Sequence, residues 1–243
     1  MREYLHRRDR QVQAAAGLCV LTTDVVSIRR AQMLHCWLVL TAAFLFASTG
    51  HPQQVAVPEK MLGTTYVTSE PTYGSGVLLG CGLSYKALIR DWKYRQGAPS
   101  VVFGSFGVMK ANQGSALGGF LKLVLQDLSL RGTELVNTPN APAFAYLLSS
   151  GGLNTAGDRV GGGASDQPDG LFTVFRLGGN FLEVIGQAVA SQTVKVMFRR
   201  QGGSLDVPID LDLSVVETSD QLERKRDTRE LMKFGECLPQ LAR

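Results

Sequence analysis

"GVLLGCGLSYKALIRDW" spans residues 76–92 and carries Cys81, the only cysteine between residues 37 and 236. Val77, Leu79, Cys81, Leu83, Tyr85, Ala87 and Ile89 fall on one parity, with Gly80, Gly82, Ser84, Lys86 and Arg90 on the other. Only Leu78 and Leu88 break the alternation. Period two sustained over this length predicts a long strand with Cys81 on its buried face. Gly80 and Gly82, flanking the cysteine, suggest a bulge or a close approach of neighbouring backbone.

Reading onward, "RQGAP" (95–99) is a turn and "SVVFGSFGVMK" (100–110) returns as the antiparallel partner. "ALGGFLKLVLQDLSL" (116–130) is apolar on both parities, and its Leu-Val-Leu content favours a buried strand. "APAFAYLLSS" (141–150) opens on Pro and lacks β-branched residues, which predicts a short helix. Residues 151–170 hold seven glycines and little to bury, so they are expected to form a mobile loop.

Strands resume at 171–177, and residues 180–192 fit either a helix or a strand. Around the "QGGS" turn, Val194, Val196 and Phe198 alternate with Lys195, Met197 and Arg199. After it, Val207, Ile209, Leu211, Leu213 and Val215 alternate with Pro208, Asp210, Asp212 and Ser214. This predicts a hairpin with one dry face, whose second strand lies at a sheet edge because Pro208 cannot donate to a neighbour. Thr218 and Gln221 have capping-box spacing, and nine of the fourteen residues 220–233 are charged, predicting a solvated helix over 218–233. That helix ends at Gly235, and the remainder is a tail.

The expected fold is therefore mainly β: an antiparallel β-sandwich-like single domain, 51–243, with short peripheral helices, preceded by an N-terminal signal segment. The 27 glycines in 243 residues fit a turn-rich plan of this kind.

Residues 1–50 read differently. "WLVLTAAFLFA" (37–47) is an uncharged apolar core, preceded by Arg29-Arg30 and followed by small residues, as in a secretory signal peptide. The run is too short for a comfortable transmembrane helix, so no stable span is expected after cleavage near residues 49–50. Cys19 and Cys36 leave with the leader. Cys81 and Cys237 then remain in an oxidising compartment, periplasmic or extracellular and most simply a bacterial envelope, where they are expected to form one disulfide.

Charge and histidine content narrow the chemistry. Six arginines against three acids give the leader +3, whereas residues 51–243 carry only +1. A domain so nearly neutral has no footprint for nucleic acid. The histidines are His6, His35 and His51, the first two in the leader and the third at the new N-terminus. A nucleophile paired with histidine, or a zinc site built on histidine, has no credible base or ligand here. P-loop, G-x-S-x-G and dinucleotide-binding patterns are missing.

Carboxylates remain as candidates. Asp91 beside Trp92 and Tyr94, with Asp210 and Asp212 on one face, could serve a carboxylate-dependent glycan hydrolase. Alternating Asp on a solvent face is, however, what edge-strand physics already demands. Asp166 and Asp169 in "GASDQPDG" are a weak calcium candidate in a calcium- or sugar-binding module. "RDWKYRQG" interleaves Arg90, Trp92, Lys93, Tyr94 and Arg95 at a strand end, the residue types that dominate binding hot spots. The expectation is a non-enzymatic envelope binding or assembly protein without cofactor. Its partner is a protein or envelope component, engaged through exposed strand edges and this aromatic-basic patch.

Overall fold

The computed structural model describes residues 55–111, 116–220 and 222–242. The signal segment, its cleavage region, Cys19, Cys36 and all three histidines lie outside the described residues.

Among the described residues the chain is mainly β, with antiparallel sheets and two short helices. After a 3-10 turn at Glu59–Met61 come β1 (Gly63–Gly74), β2 (Val77–Asp91), β3 (Ala98–Lys110) and β4 (Leu117–Arg131). Then follow β5 (Glu134–Pro139), β6 (Pro142–Leu148), a second 3-10 turn at Ala156–Asp158, β7 (Arg159–Ala164) and β8 (Leu171–Arg176). Helix α1 (Asn180–Ser191) leads to β9 (Thr193–Arg200), β10 (Val207–Asp212), β11 (Val215–Thr218), β12 (Arg224–Arg226) and helix α2 (Arg229–Leu241).

The large sheet runs β1-β2-β3-β4-β8-β7, with β5 pairing the second half of β4 where β8 leaves off. A smaller sheet runs β10-β9-β6, and β11 pairs β12. The first hairpin closes on Ser75 and Gly76, both at positive φ, the backbone that a tight two-residue turn requires.

Alternation decides which side chains are dry. Cys81, Leu83, Tyr85, Ala87 and Ile89 of β2 share one buried cluster with Val102, Phe106 and Val108 of β3 and Leu121, Leu123 and Leu125 of β4. The same cluster takes Val194, Val196 and Phe198 of β9, Ile209 and Leu211 of β10, and the apolar stripes of both helices. Burying a leucine or phenylalanine in such a cluster contributes about 1.5–3 kcal/mol. Leu88, out of step with the β2 pattern, belongs to a second small cluster with Val57 and Leu128, packed against Val55 and Met61 on the opposite face. The exception to the alternation thus marks where the N-terminal segment covers the sheet.

Three local expectations need correction, and one open reading is resolved. Residues 142–148 form a strand, not a helix: Ala145 and Leu147 face the core at period two, and Pro142 is tolerated because β6 is an edge strand. The expected loop 151–170 includes β7, since consecutive glycines accept extended backbone as readily as a turn. Residues 180–192 resolve as helix α1, whose Phe181, Val184, Ile185 and Ala188 recur at helical spacing on one buried face.

The helix expected over 218–233 begins instead at Arg229 and runs through Gly235 to Leu241. The Thr218 hydroxyl donates to the Thr65 carbonyl at 2.6 Å and caps nothing, and Gln221 lies outside the described residues. The Asp227 carboxylate accepts the Arg229 N–H at 2.9 Å and so supplies the helix start. Leu231, Phe234, Cys237 and Leu241 then form its buried stripe.

Candidate functional site

The end of β2 is organised by one carboxylate. Asp91 is fully buried, and its Oδ1 accepts the backbone N–H groups of Lys93 and Tyr94, each at 3.0 Å. Its carbonyl accepts the N–H of Gly97 at 2.9 Å. Oδ2 takes Arg200 Nε at 2.6 Å. These bonds fold the segment between β2 and β3 into a tight tip on which Trp92 stands 70% exposed. Gly97 is required there twice over: its φ is +85°, and a Cβ would sit 2.6 Å from the indole ring.

Behind the tip lies a buried ionic cluster. Arg200 donates Nη1 to Asp127 Oδ2 at 2.9 Å and Nη2 to Asp127 Oδ1 at 2.8 Å, a bidentate fork at a residue only 6% exposed. Ser100 Oγ donates to Asp127 Oδ1 at 2.7 Å, and Asn140 Nδ2 to Oδ2 at 3.1 Å. Arg95 lies 3.3 Å from Asp127 Oδ1 and donates to Ser100 Oγ at 3.0 Å and to the Leu128 carbonyl at 3.0 Å.

Two arginines and two aspartates thus balance in charge, and their hydrogen-bonding groups find partners, as burial demands. Burial alone would raise the Asp127 carboxyl pKa. Hydrogen bonds from Arg200 and Ser100, with the charges of Arg200 and Arg95, outweigh it and hold the group below its ordinary range. Burial pulls Arg95 below its usual value, offset in part by Asp127. Arg200 is held higher despite its burial, because Asp127 and Asp91 both bond its charged form.

The five patch residues therefore separate. Arg90 is spent on the Val57 carbonyl at 2.7 Å and on Glu59 at 3.0 Å. Arg95 belongs to the buried cluster. Tyr94 clamps the neighbouring turn: its hydroxyl donates to the Leu205 carbonyl at 2.5 Å and accepts the Leu205 N–H at 2.6 Å, its ring lying over Gly203. Trp92 and Lys93 are left exposed, with Leu205, 52% exposed, on the clamped turn.

Asp127, Ser100 and Arg200 escaped the sequence reading, although the parity was there to find them. Asp127 continues the inward series Leu121, Leu123, Leu125 of β4, and Arg200 continues Val194, Val196, Phe198 of β9. A charge on a dry parity calls for a buried partner of opposite sign.

The other candidates do not converge. Asp210 pairs with Lys195 at 2.5 Å beside an open depression of about 290 Å³. Asp212 pairs with Arg226 at 2.9 Å and accepts the Ser214 hydroxyl at 2.6 Å. Lys195 and Arg200 stand five residues apart on β9, about 17 Å along the strand and on opposite faces. Asp91 thus lies apart from Asp210 and Asp212, which both line the open depression with Lys195. Asp166 is held by Lys122, whose hydrogen bond keeps its carboxyl below the ordinary range, and Asp169 sits in a turn at φ +56°. Among the described residues, no group of three or more His, Cys, Asp or Glu is placed to hold a metal ion. Cys81 and Cys237 are bonded, with an S–S distance of 1.96 Å and Cα atoms 5.8 Å apart.

The sheet edges differ in cover. β1 is flanked by β11, and its Ser69 N–H is taken by Glu230 of α2 at 2.9 Å. β7, at the other end, pairs only with β8 among the described residues, and of its six residues only Gly161 is less than exposed. No protein-family model matches the chain, and neither does any curated protein or any solved structure.

Proposed function

We propose that residues 51–243 form a single β-sandwich-like domain that works by binding, as a non-catalytic assembly or accessory protein of the cell envelope. Its two sheets share one core, which supports the sandwich-like reading. The apolar segment 37–47 supports export to a periplasmic or extracellular space, and the Cys81–Cys237 bond is consistent with an oxidising one.

The observation that carries the binding role is the β7 edge. Gly161, Gly162 and Gly163 carry no side chain of their own, the Arg159 guanidinium alone reaching back to the Gly161 carbonyl at 3.5 Å, and no charged residue follows Arg159 in the strand. Natural edges left this bare accept an added strand, so the partner is an extended polypeptide segment. The exposed Trp92 and Lys93 tip offers a second, separate anchor.

Selection of extended peptides from a displayed library on the purified protein, followed by hydrogen exchange, tests this reading. The β7 amides should gain protection on peptide binding, and Gly163→Lys should abolish that binding. Protection confined to other strands would refute it.

A further inference from the structure

On the face of the large sheet turned away from the main core, Ser84, Ser105 and Lys122 stand side by side as register partners on β2, β3 and β4. One row along, Tyr66 and Phe103 flank Lys86 in the same way. Ser84, Ser105, Lys122, Tyr66 and Phe103, with Glu70 and Gln167, border a cleft of about 210 Å³, and Lys86 is not among its lining residues. At about 30 Å³ per water it has room for some seven waters, the space of one monosaccharide ring.

The chemistry of its walls is specific. Two aromatic rings, Tyr66 (38% exposed) and the half-buried Phe103, offer apolar surface. In the next row the Ser84 and Ser105 hydroxyls are small neutral donors and acceptors lining the same cleft. Glu70 and Gln167 add planar groups, each able to bridge two neighbouring hydroxyls.

Charge narrows the ligand further. Lys122 is already neutralised by Asp166, and Glu70 accepts the Ser84 hydroxyl. An anion would meet the Glu70 carboxylate, and a cation would meet the exposed Lys86 ammonium beside the cleft, between Tyr66 and Phe103. A neutral ring with apolar C–H faces and a hydroxyl rim satisfies both the aromatic and the polar groups.

We infer that this cleft is a binding site for one neutral monosaccharide unit of a glycan. The site needs no added strand: six of its side chains stand on β1 to β4, and Gln167 reaches it from the turn between β7 and β8.

Titration of the isotope-labelled purified protein with maltotetraose, cellotetraose and the tetramer of N-acetylglucosamine, followed by amide shifts, tests the inference. At least one should bind saturably at about millimolar affinity or tighter. The shifts should centre on Ser84, Ser105 and Lys122. Ser105→Trp, which fills the cleft from an outward-facing strand position, should weaken binding at least tenfold. Tyr66→Ala, at an exposed position, should weaken it as well and serves if the first variant does not fold. Failure of all three sugars to saturate would overturn the inference. So would shifts centred elsewhere, undiminished binding in the folded variants, or tighter binding of inorganic phosphate at the same residues.

Discussion

Arg200 Nε lies 2.6 Å from Asp91 Oδ2, joining the last residue of β9 to the last residue of β2 across the boundary between the two sheets. Because Arg200 also grips Asp127 within β4 with its other two nitrogens, one side chain couples the ends of β9 and β2 to a third strand and holds the Trp92 tip in place. Arg200→Ala would leave the buried Asp91 carboxylate without a cation and Asp127 with Arg95 alone, at 3.3 Å. The expected loss is about 3–5 kcal/mol, well beyond that of an exposed arginine. Urea unfolding of this variant beside Arg199→Ala, whose arginine is half-buried, measures the contrast; equal losses would show that the cluster contributes little.

Acid should loosen the same cluster. Asp127 binds its proton more weakly in the folded chain than in the unfolded one, because the bonds from Arg200 and Ser100 outweigh its burial. Its contribution is complete above the unfolded value near 3.8 and is lost as pH falls through the lower folded value. Urea midpoints between about pH 2 and pH 7 should therefore fall below about pH 4 in the native protein. Asp127→Asn should be less stable at neutral pH and show a shallower acid slope. An unchanged slope would place the acid sensitivity in other carboxylates.

The Cys81–Cys237 bond closes a loop of 156 residues and fastens α2 to the middle of β2. In the chain-entropy model such a closure contributes about 5 kcal/mol. Leu231, Phe234 and Leu241 nevertheless bury α2 without the sulfurs' help. The Cys81→Ala, Cys237→Ala double variant should fold with a lower Tm, and hydrogen exchange should quicken first in residues 229–241. Uniform quickening across β2 and β3 would show that the bond supports the sheet as a whole.

What could be read from the sequence followed the parity of single strands. The β2 alternation, the β9–β10 hairpin and the inward thiol all stand in the structure, because a half-buried strand writes its burial into every second residue. Residues 142–148 and 159–164 were opaque for opposite reasons. The first carries Pro and Ala, which fit a helix start as well as an edge strand. The second carries glycine, which has no side chain with which to announce a face. The helix boundary near 229 was hidden by a competing cap signal, Thr218, whose hydroxyl is claimed by a carbonyl 153 residues away. The binding patch was legible as composition but not as geometry. Arg90, Tyr94 and Arg95 are drawn inward by partners far along the chain, which no local pattern encodes.

Trp92 and Gly97 should separate binding from stability. The chain has two tryptophans, and Trp37 belongs to the leader region, so Trp37→Phe leaves Trp92 as the sole indole reporter. At 70% exposure its emission should already resemble hydrated indole and shift little on unfolding. Trp92→Ala should change stability by no more than about 0.5 kcal/mol, the range for surface positions. Gly97→Ala, by contrast, forces an L side chain to φ +85° and a methyl into the ring, and should cost more than about 1 kcal/mol while altering the Trp92 emission. If Trp92→Ala were the more destabilising of the two, the indole would be a structural brace of the tip. The opposite order leaves it available to a partner, and that order follows from a ring that lies over Gly97 and is 70% exposed.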